Sequence, residues 1–409
     1  MDQILPSAKA RKALEERIGK LEEEGILSPG REGIMLGALV ARPKGGGEVV
    51  SYAFSGALDG RLLVDGFVPP CFSVHAFEKI VERYDEQIHC YSDRIERGER
   101  ELEPVRRALS NEALDQIRAT YIFHSPFGKF TFASAGLDNP PTGMGDCAAA
   151  KLLNNCLRRG WEPVSLCEMW YGASTGGRIS AHVYNPCDEK CRPLFRHFFA
   201  LDLIYGDEAI VVVDKESGLL SVPGKGPEKA DCVTSRLRAT FPSIPTLPSV
   251  HRLDMDTSGV LVLAKTEEAK RCLSMQFEHR ETDKRYVALL EGLVKDECGV
   301  IDLPMRLDTE DRPRQVVDWE NGKKAVTEWR RLGVEMRGDR VLTRVAFHPL
   351  TGRTHQLRLH AAKALHPIVG DRLYGRQLPG ERLCLHAESL TIKHPVTGKA
   401  MTFTAPVPF

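Results

Sequence analysis

The chain lacks several features that would narrow its class at once. Its 409 residues contain no uninterrupted apolar run of the roughly 18 residues that a membrane-spanning helix needs, so no span is expected. The opening Met1-Asp2-Gln3-Ile4-Leu5-Pro6 leads into charged amphipathic sequence and has neither the apolar centre nor the cleavage site of a secretory signal. A cytoplasmic location is therefore expected. There is no net charge, with 56 Lys and Arg against 56 Asp and Glu, which argues against a protein that coats nucleic acid indiscriminately. The cysteine count, eleven, is odd and cannot form a complete disulfide framework, so these residues read as reduced thiols. No internal repeat and no low-complexity segment is present.

What is present is a globular composition, 42% hydrophobic and 27% charged, on a chain too long for one core of ordinary size. Two domains are expected, 1–200 and 201–409. Charge is unevenly spread. Residues 341–409 hold nine Lys and Arg against three Asp and Glu, whereas 201–340 hold 22 against 26. A locally basic end on a neutral chain suits a protein that grips one strand or hairpin of nucleic acid. In the second half, short β-rich runs (Leu203 to Val213, Gly218 to Gly224, Gly259 to Ala264, Tyr286 to Leu290, Leu342 to Phe347) are broken by helical stretches at about 266–279 and 354–364. Strands outnumber helices without alternating regularly, which predicts an α+β fold with a mainly antiparallel mixed sheet flanked by helices. The first half reads as a separate α+β domain. A charged stretch at 74–119, broken near Gly98 and Pro104, has the spacing of two antiparallel helices. Strand-like pieces lie at Val49 to Phe54 and Tyr121 to Phe132, and a helix begins near Asp146.

Two clusters carry chemistry. In His251-Arg252-Leu253-Asp254-Met255-Asp256-Thr257-Ser258-Gly259, an arginine and a carboxylate stand two residues apart, just before the apolar run Val260 to Ala264. A loop at the mouth of a buried strand presents a carboxylate instead of burying it. Alone, such a pair is more often a surface turn. A hundred residues on, Thr351-Gly352-Arg353-Thr354-His355-Gln356-Leu357-Arg358 reads as a turn into a helix capped by Thr351 or Thr354. Arg358 on that helix can pair bidentately with a carboxylate from another segment, and Asp254 is the expected partner, kept ionised by it.

Over about residues 203 to 409 the chain resembles the RluA-type RNA pseudouridine synthases. The resemblance is carried, in order, by Gly218 to Gly224, His251-Arg252-Leu253-Asp254 with Thr257-Ser258-Gly259, and Lys284-Arg285-Tyr286-Val287-Ala288. Gly352 to Arg358, His366-Pro367-Ile368-Val369-Gly370-Asp371, Leu385-His386-Ala387 and Ala405-Pro406-Val407-Pro408 follow. Asp214-Lys215-Glu216 departs from the family's Asn-Lys-Pro. The resemblance implies that Asp254 is the essential aspartate, that Arg252 enters the RNA stack, that Tyr286 lies under the target base and that Arg358 pairs with Asp254. His251, Arg353, His355 and Gln356, in the same two motifs, are expected to touch RNA. It further implies a structured ribosomal or transfer RNA stem-loop as substrate, no cofactor, no nucleotide, no membrane, and a monomer. The chemistry is an isomerisation in which N1–C1′ breaks, uracil rotates and C5 bonds C1′. One unprotonated carboxylate acting at C1′ or C2′ is the minimum machinery, and the Tyr286 hydroxyl is a candidate helper in deprotonating C5. The alternative is an RNA-binding or folding factor on the same scaffold.

His355 and His360 lack a third ligand nearby and read as polar packing or RNA contacts, not as metal ligands. The family's small basic N-terminal RNA-binding module is missing. The first half resembles an extension found in some members, without an inferred role; a partner-docking module is one alternative. Its most pointed feature is Cys147 with Cys187, Cys191 and His182, which could hold zinc. The loose Cys-x3-Cys spacing favours reduced cysteines in a small core, and no metal is expected.

Overall fold

A computed structural model describes residues 5–185 and 190–409. They form two compact units, one of residues 5–185 and 190–200 with 239–241, the other of residues 201–238 with 242–409.

The first unit contains α1 (Ala8–Glu23), β1 (Ile34–Arg42), β2 (Val49–Phe54), α2 (Val74–Glu96), α3 (Glu103–Ala119), β3 (Phe123–Ser125), β4 (Gly128–Phe130), α4 (Ala148–Arg158), β5 (Glu162–Tyr171), β6 (Val183–Tyr184) and α5 (Arg192–Phe199). Its antiparallel sheet runs β2-β1-β5-β6. Alternation along β1 supplies two faces. Leu36, Ala38 and Val40 pack with Ala10, Leu14, Ile18 and Leu21 of α1. Gly37 points the other way, where a Cβ would press on Ala148 and Leu152 of α4. The charged pair α2–α3 buries little beyond Tyr84 and Ala113, and Tyr84 donates across it to Glu112 at 2.6 Å. The stretch Tyr121 to Phe132 is not one strand. Ser125 and Gly128 close a hairpin that divides it into β3 and β4.

The second unit contains β7 (Asp202–Gly206), β8 (Ile210–Lys215), α6 (Val233–Thr240), β9 (Ser258–Ala264), α7 (Glu267–Glu278), β10 (Asp283–Glu291), β11 (Cys298–Asp302), β12 (Met305–Leu307), β13 (Gln315–Val317), β14 (Val326–Arg337), β15 (Arg340–Pro349), α8 (Gln356–Ala364), β16 (Leu385–Lys393) and β17 (Ala400–Thr404). Nine strands make one sheet, in the order β11-β14-β15-β10-β16-β9-β8-β7 with β17 beside β16. The β9–β16 pair is parallel and its neighbours are antiparallel, giving the mixed α+β sheet. Every residue of β9 is buried, because α7 covers one side with Ala269 and Leu273. Under β10, β15 and β16, a second cluster takes in Leu357 and Ala361 of α8. Thr266 caps α7 by accepting from Ala269 N–H, with Glu267 and Glu268 in the first turn.

Two local expectations are corrected. Gly218 to Gly224 is a turn, with Gly218 at φ +90° and a single bridge at Leu220, since a positive φ and Pro223 interrupt any ladder. Neither Thr351 nor Thr354 caps α8. His355 stands at its N-cap with φ 55° and no side-chain cap bond.

Candidate active site

The loop before β9 is tied down from both sides, and this makes Asp254 protrude. Ser221 Oγ donates to the Leu253 carbonyl at 2.7 Å and accepts from Leu253 N–H at 3.1 Å. Lys215, wholly buried, spends its three donors on the carbonyls of Glu216, Leu219 and Met255 at 2.6–2.8 Å. Burial pushes its ammonium down to about 8, against the pull of Asp256 and Asp254. Ser217 Oγ donates to the Asp256 carbonyl and Gly218 N–H to that of Met255. On the far side Ser258 donates to His386 Nδ1 at 2.8 Å, while His386 Nε2–H donates to the Ala405 carbonyl. Gly259, at φ +113°, lies so close to Ala387 that an added Cβ would collide with its backbone.

Asp254 opens on a cleft of about 1230 Å³ whose wall includes Arg252, Tyr286, His355 and Arg358. Its carboxylate is 26% exposed, 3.8 Å from Arg358 Nη1 and 3.9 Å from His355 Nε2. Neither distance is a hydrogen bond. The expected bidentate partnership is therefore corrected. Arg358, 3% exposed, gives its paired bonds to Asp371, with Nε at 2.8 Å and Nη2 at 2.7 Å. Asp371 is completely buried and also accepts from Leu373 and Tyr374 N–H. Burial opposes its ionisation, but Arg358 and the two amides outweigh burial and hold its carboxyl below the usual range. Tyr286, on β10 at a register shift against β16, faces the cleft. Burial, helped by the charge of Asp254, pushes its phenol well above the usual value. Asp256 turns to Arg372 at 3.2 Å.

The residues expected to touch RNA divide. Arg252 and Arg353 are exposed at the cleft, Arg353 also donating to the Lys324 carbonyl. His251 is committed to the fold. Its Nε2 accepts from Val262 N–H, its ring stacks on Phe277 at 4.5 Å, and burial together with Lys284 pushes its pKa down to about 3. Gln356 is buried and spent. Its oxygen accepts from Thr351 Oγ1 and Arg353 N–H, and its nitrogen donates to the Val326 carbonyl and Thr327 Oγ1. No polar atom of Gln356 is left for RNA. His360 likewise bonds Thr327 and the Leu303 carbonyl. Sequence reasoning missed three members of the site: Lys215, Asp371 and Tyr374. Asp371 ended a quoted motif, yet nothing in its spacing pointed to Arg358.

In the first unit, Cys147 and Cys191 do meet, with their sulfurs 3.3 Å apart and Cys147 Sγ accepting from Ala150 N–H at the start of α4. His182 is exposed with its ring on Tyr184, and Cys187 lies outside the described residues. Among the described residues no three ligating side chains gather around one point, short of the four that a structural zinc takes.

Residues 209–363 match the family model for RNA pseudouridylate synthases. The dual-specificity RNA pseudouridine synthase RluA of Haemophilus influenzae is 47% identical over 208 residues, 50% of this chain and 92% of that protein. The protein of the same name from Escherichia coli K12 is 47% identical over 212 residues, 51% of this chain and 94% of its own length. Among solved structures, human RNA pseudouridylate synthase domain containing 1 is 30% identical over 51% of this chain and 84% of that one, with a TM-score of 0.45. The chain belongs to the RluA-type RNA pseudouridine synthases, a family of isomerases.

Proposed function

We propose that this protein converts a uridine in a structured ribosomal or transfer RNA stem-loop to pseudouridine, with Asp254 as the reactive group. The observation that carries the reading is the Asp254 carboxylate itself, held at the cleft on a doubly anchored loop and left without a hydrogen bond from any of the described residues. A carboxylate so placed is free to attack C1′ or to take a proton from C2′. The RNA class rests on the relatives, which are named for dual specificity.

The target nucleotide leaves its stack at a cost of a few kcal/mol, offset in part when a side chain fills the vacancy. Arg252, exposed at the cleft and planar at its tip, takes that place. Tyr286 lies beneath the flipped uracil. Because burial, with the charge of Asp254 acting the same way, keeps its phenol protonated at neutral pH, it contributes a flat face and a hydroxyl and is a poor base for the C5 proton. Arg358 sets the electrostatics beside Asp254, and Arg353 meets the RNA backbone. The protein acts as a monomer without cofactor or metal.

The test is tritium release from RNA labelled at uracil C5, prepared from cells lacking the protein. The wild-type chain is expected to release tritium, and Asp254→Ala to release none while still binding RNA. Release at the wild-type rate by that variant would overturn the assignment. Binding without release by the wild-type chain would favour the RNA-binding factor.

A further inference from the structure

One ring in the cleft has a proton whose place can be derived. Tyr374 Oη accepts from Gln315 N–H at 2.7 Å and lies 3.0 Å from His355 Nδ1. Burial keeps the Tyr374 phenol protonated, up to about 12, so the hydroxyl has a hydrogen to give. Among the described residues no other acceptor lies within hydrogen-bond reach of it, and a buried donor left unpaired forfeits its hydration without compensation. The hydroxyl therefore donates to Nδ1, which is the bare nitrogen, and the ring proton sits on Nε2. The other end of the ring agrees. Nε2 stands 3.9 Å from Asp254 Oδ2, where an N–H is attracted and a lone pair repelled. Burial keeps the ring less basic than an ordinary histidine, with Arg358 acting in the same direction and Asp254, Asp371 and Asp256 against it. The ring is 9% exposed and edge-on to Tyr374. Its backbone is held at φ 55°, where a residue other than glycine is strained.

We propose that His355 is a positioning residue for Asp254, not an RNA contact. Its neutral Nε2–H turns the carboxylate toward the ribose without neutralising it, as a second cation beside Arg358 would. The inference rests on the reading of Asp254 as the reactive group. The 3.9 Å gap closes when RNA fills the cleft, as catalytic hydrogen bonds often tighten only in the complex.

Three substitutions separate the donor from its backbone. The amide N–H of His355→Gln reaches the place of Nε2–H, that of His355→Asn reaches only the place of Nδ1, and His355→Phe keeps the ring without a donor. Asn is better tolerated than the other two at positive φ. If only backbone conformation mattered, Asn would be the best substitute. In single-turnover tritium release with saturating RNA, Gln is expected to stay within about threefold of wild type. Asn and Phe are expected to fall by about tenfold or more with RNA affinity unchanged. Rates are compared per folded molecule, because Phe also leaves the Tyr374 hydroxyl without its acceptor and lowers the urea midpoint. Tyr374→Phe, which frees the tautomer, falls in between. Asn or Phe at the wild-type rate overturns the inference, as does Gln as slow as Phe, or a loss confined to RNA affinity. Asp254→Asn is run alongside. If that variant turns over normally, the reading of the site fails, whereas a dead Asp254→Asn with Asn better than Gln at 355 sinks the His355 inference alone.

Discussion

Arg358 has two carboxylates within reach and donates its paired hydrogen bonds to Asp371, standing 3.8 Å from Asp254. The difference has a chemical consequence. If Asp254 is the reactive group, as proposed, a bidentate bond to it would occupy the lone pairs that reach ribose. The Arg358–Asp371 pair is close to neutral as a unit, so Asp254 feels an oriented guanidinium without being consumed by it. Removing the Asp371 charge should therefore damage both stability and turnover. Asp371→Asn leaves the buried Arg358 with an unmatched charge, expected to cost about 3–5 kcal/mol in urea unfolding. Among molecules still folded, Arg358 is released toward Asp254, and tritium release is expected to fall by about 100-fold, the order that misplacing a reacting group by 1 Å can cost. An unchanged urea midpoint would show that the pair is dispensable.

At the scale of elements, the loop that carries Asp254 is a product of strand register. β9 enters the sheet parallel to β16 at Ser258 and Gly259, and these two residues are where the loop is stapled. The close approach at Gly259 tolerates no side chain, for its Cβ would meet the Ala387 backbone and its φ of +113° is outside what L-residues adopt. Gly259→Ala is expected to destabilise the fold by more than the roughly 1–3 kcal/mol of backbone strain alone, read as a lower thermal midpoint. Turnover should drop further than the folded fraction does, since Asp254 lies five residues upstream on the same loop. A variant that melts like the wild type would mean that β9 and β16 are further apart than this register requires. His251 shows the same logic from the other end of the loop. Its place beside Arg252 suggested an RNA contact, but the loop turns its ring inward, where Val262 and Phe277 use it.

At the scale of the whole molecule, residues 201–238 with 242–409 form one compact unit, and the relatives reach 92–94% of their own length on about half of this chain. A fragment of residues 201–409 is accordingly expected to fold and to release tritium from a short stem-loop within about threefold of the full chain, by the arithmetic in which 1.4 kcal/mol is a tenfold change. A fragment that folds but turns over a hundredfold more slowly would place a catalytic contribution in the first half. What the sequence alone determined is the order of motifs, the α+β class and the family, because motifs are read from residue type and short spacing, and the resemblance then proposed Asp254, Tyr286, Arg252 and Arg358 as the residues to test. It also marked α7 and α8 to within a few residues, since 3.6-residue periodicity is a local property. Partnership was left to the tertiary structure. Asp371 lies 13 residues from Arg358 and Asp254 lies 104 away, yet the nearer carboxylate takes the bond because a buried turn aims it and adds two backbone amides. Gln356 and His360 likewise look like RNA ligands in a linear motif and are spent inside the fold, for a hydrogen bond depends on positions in space that no local pattern encodes.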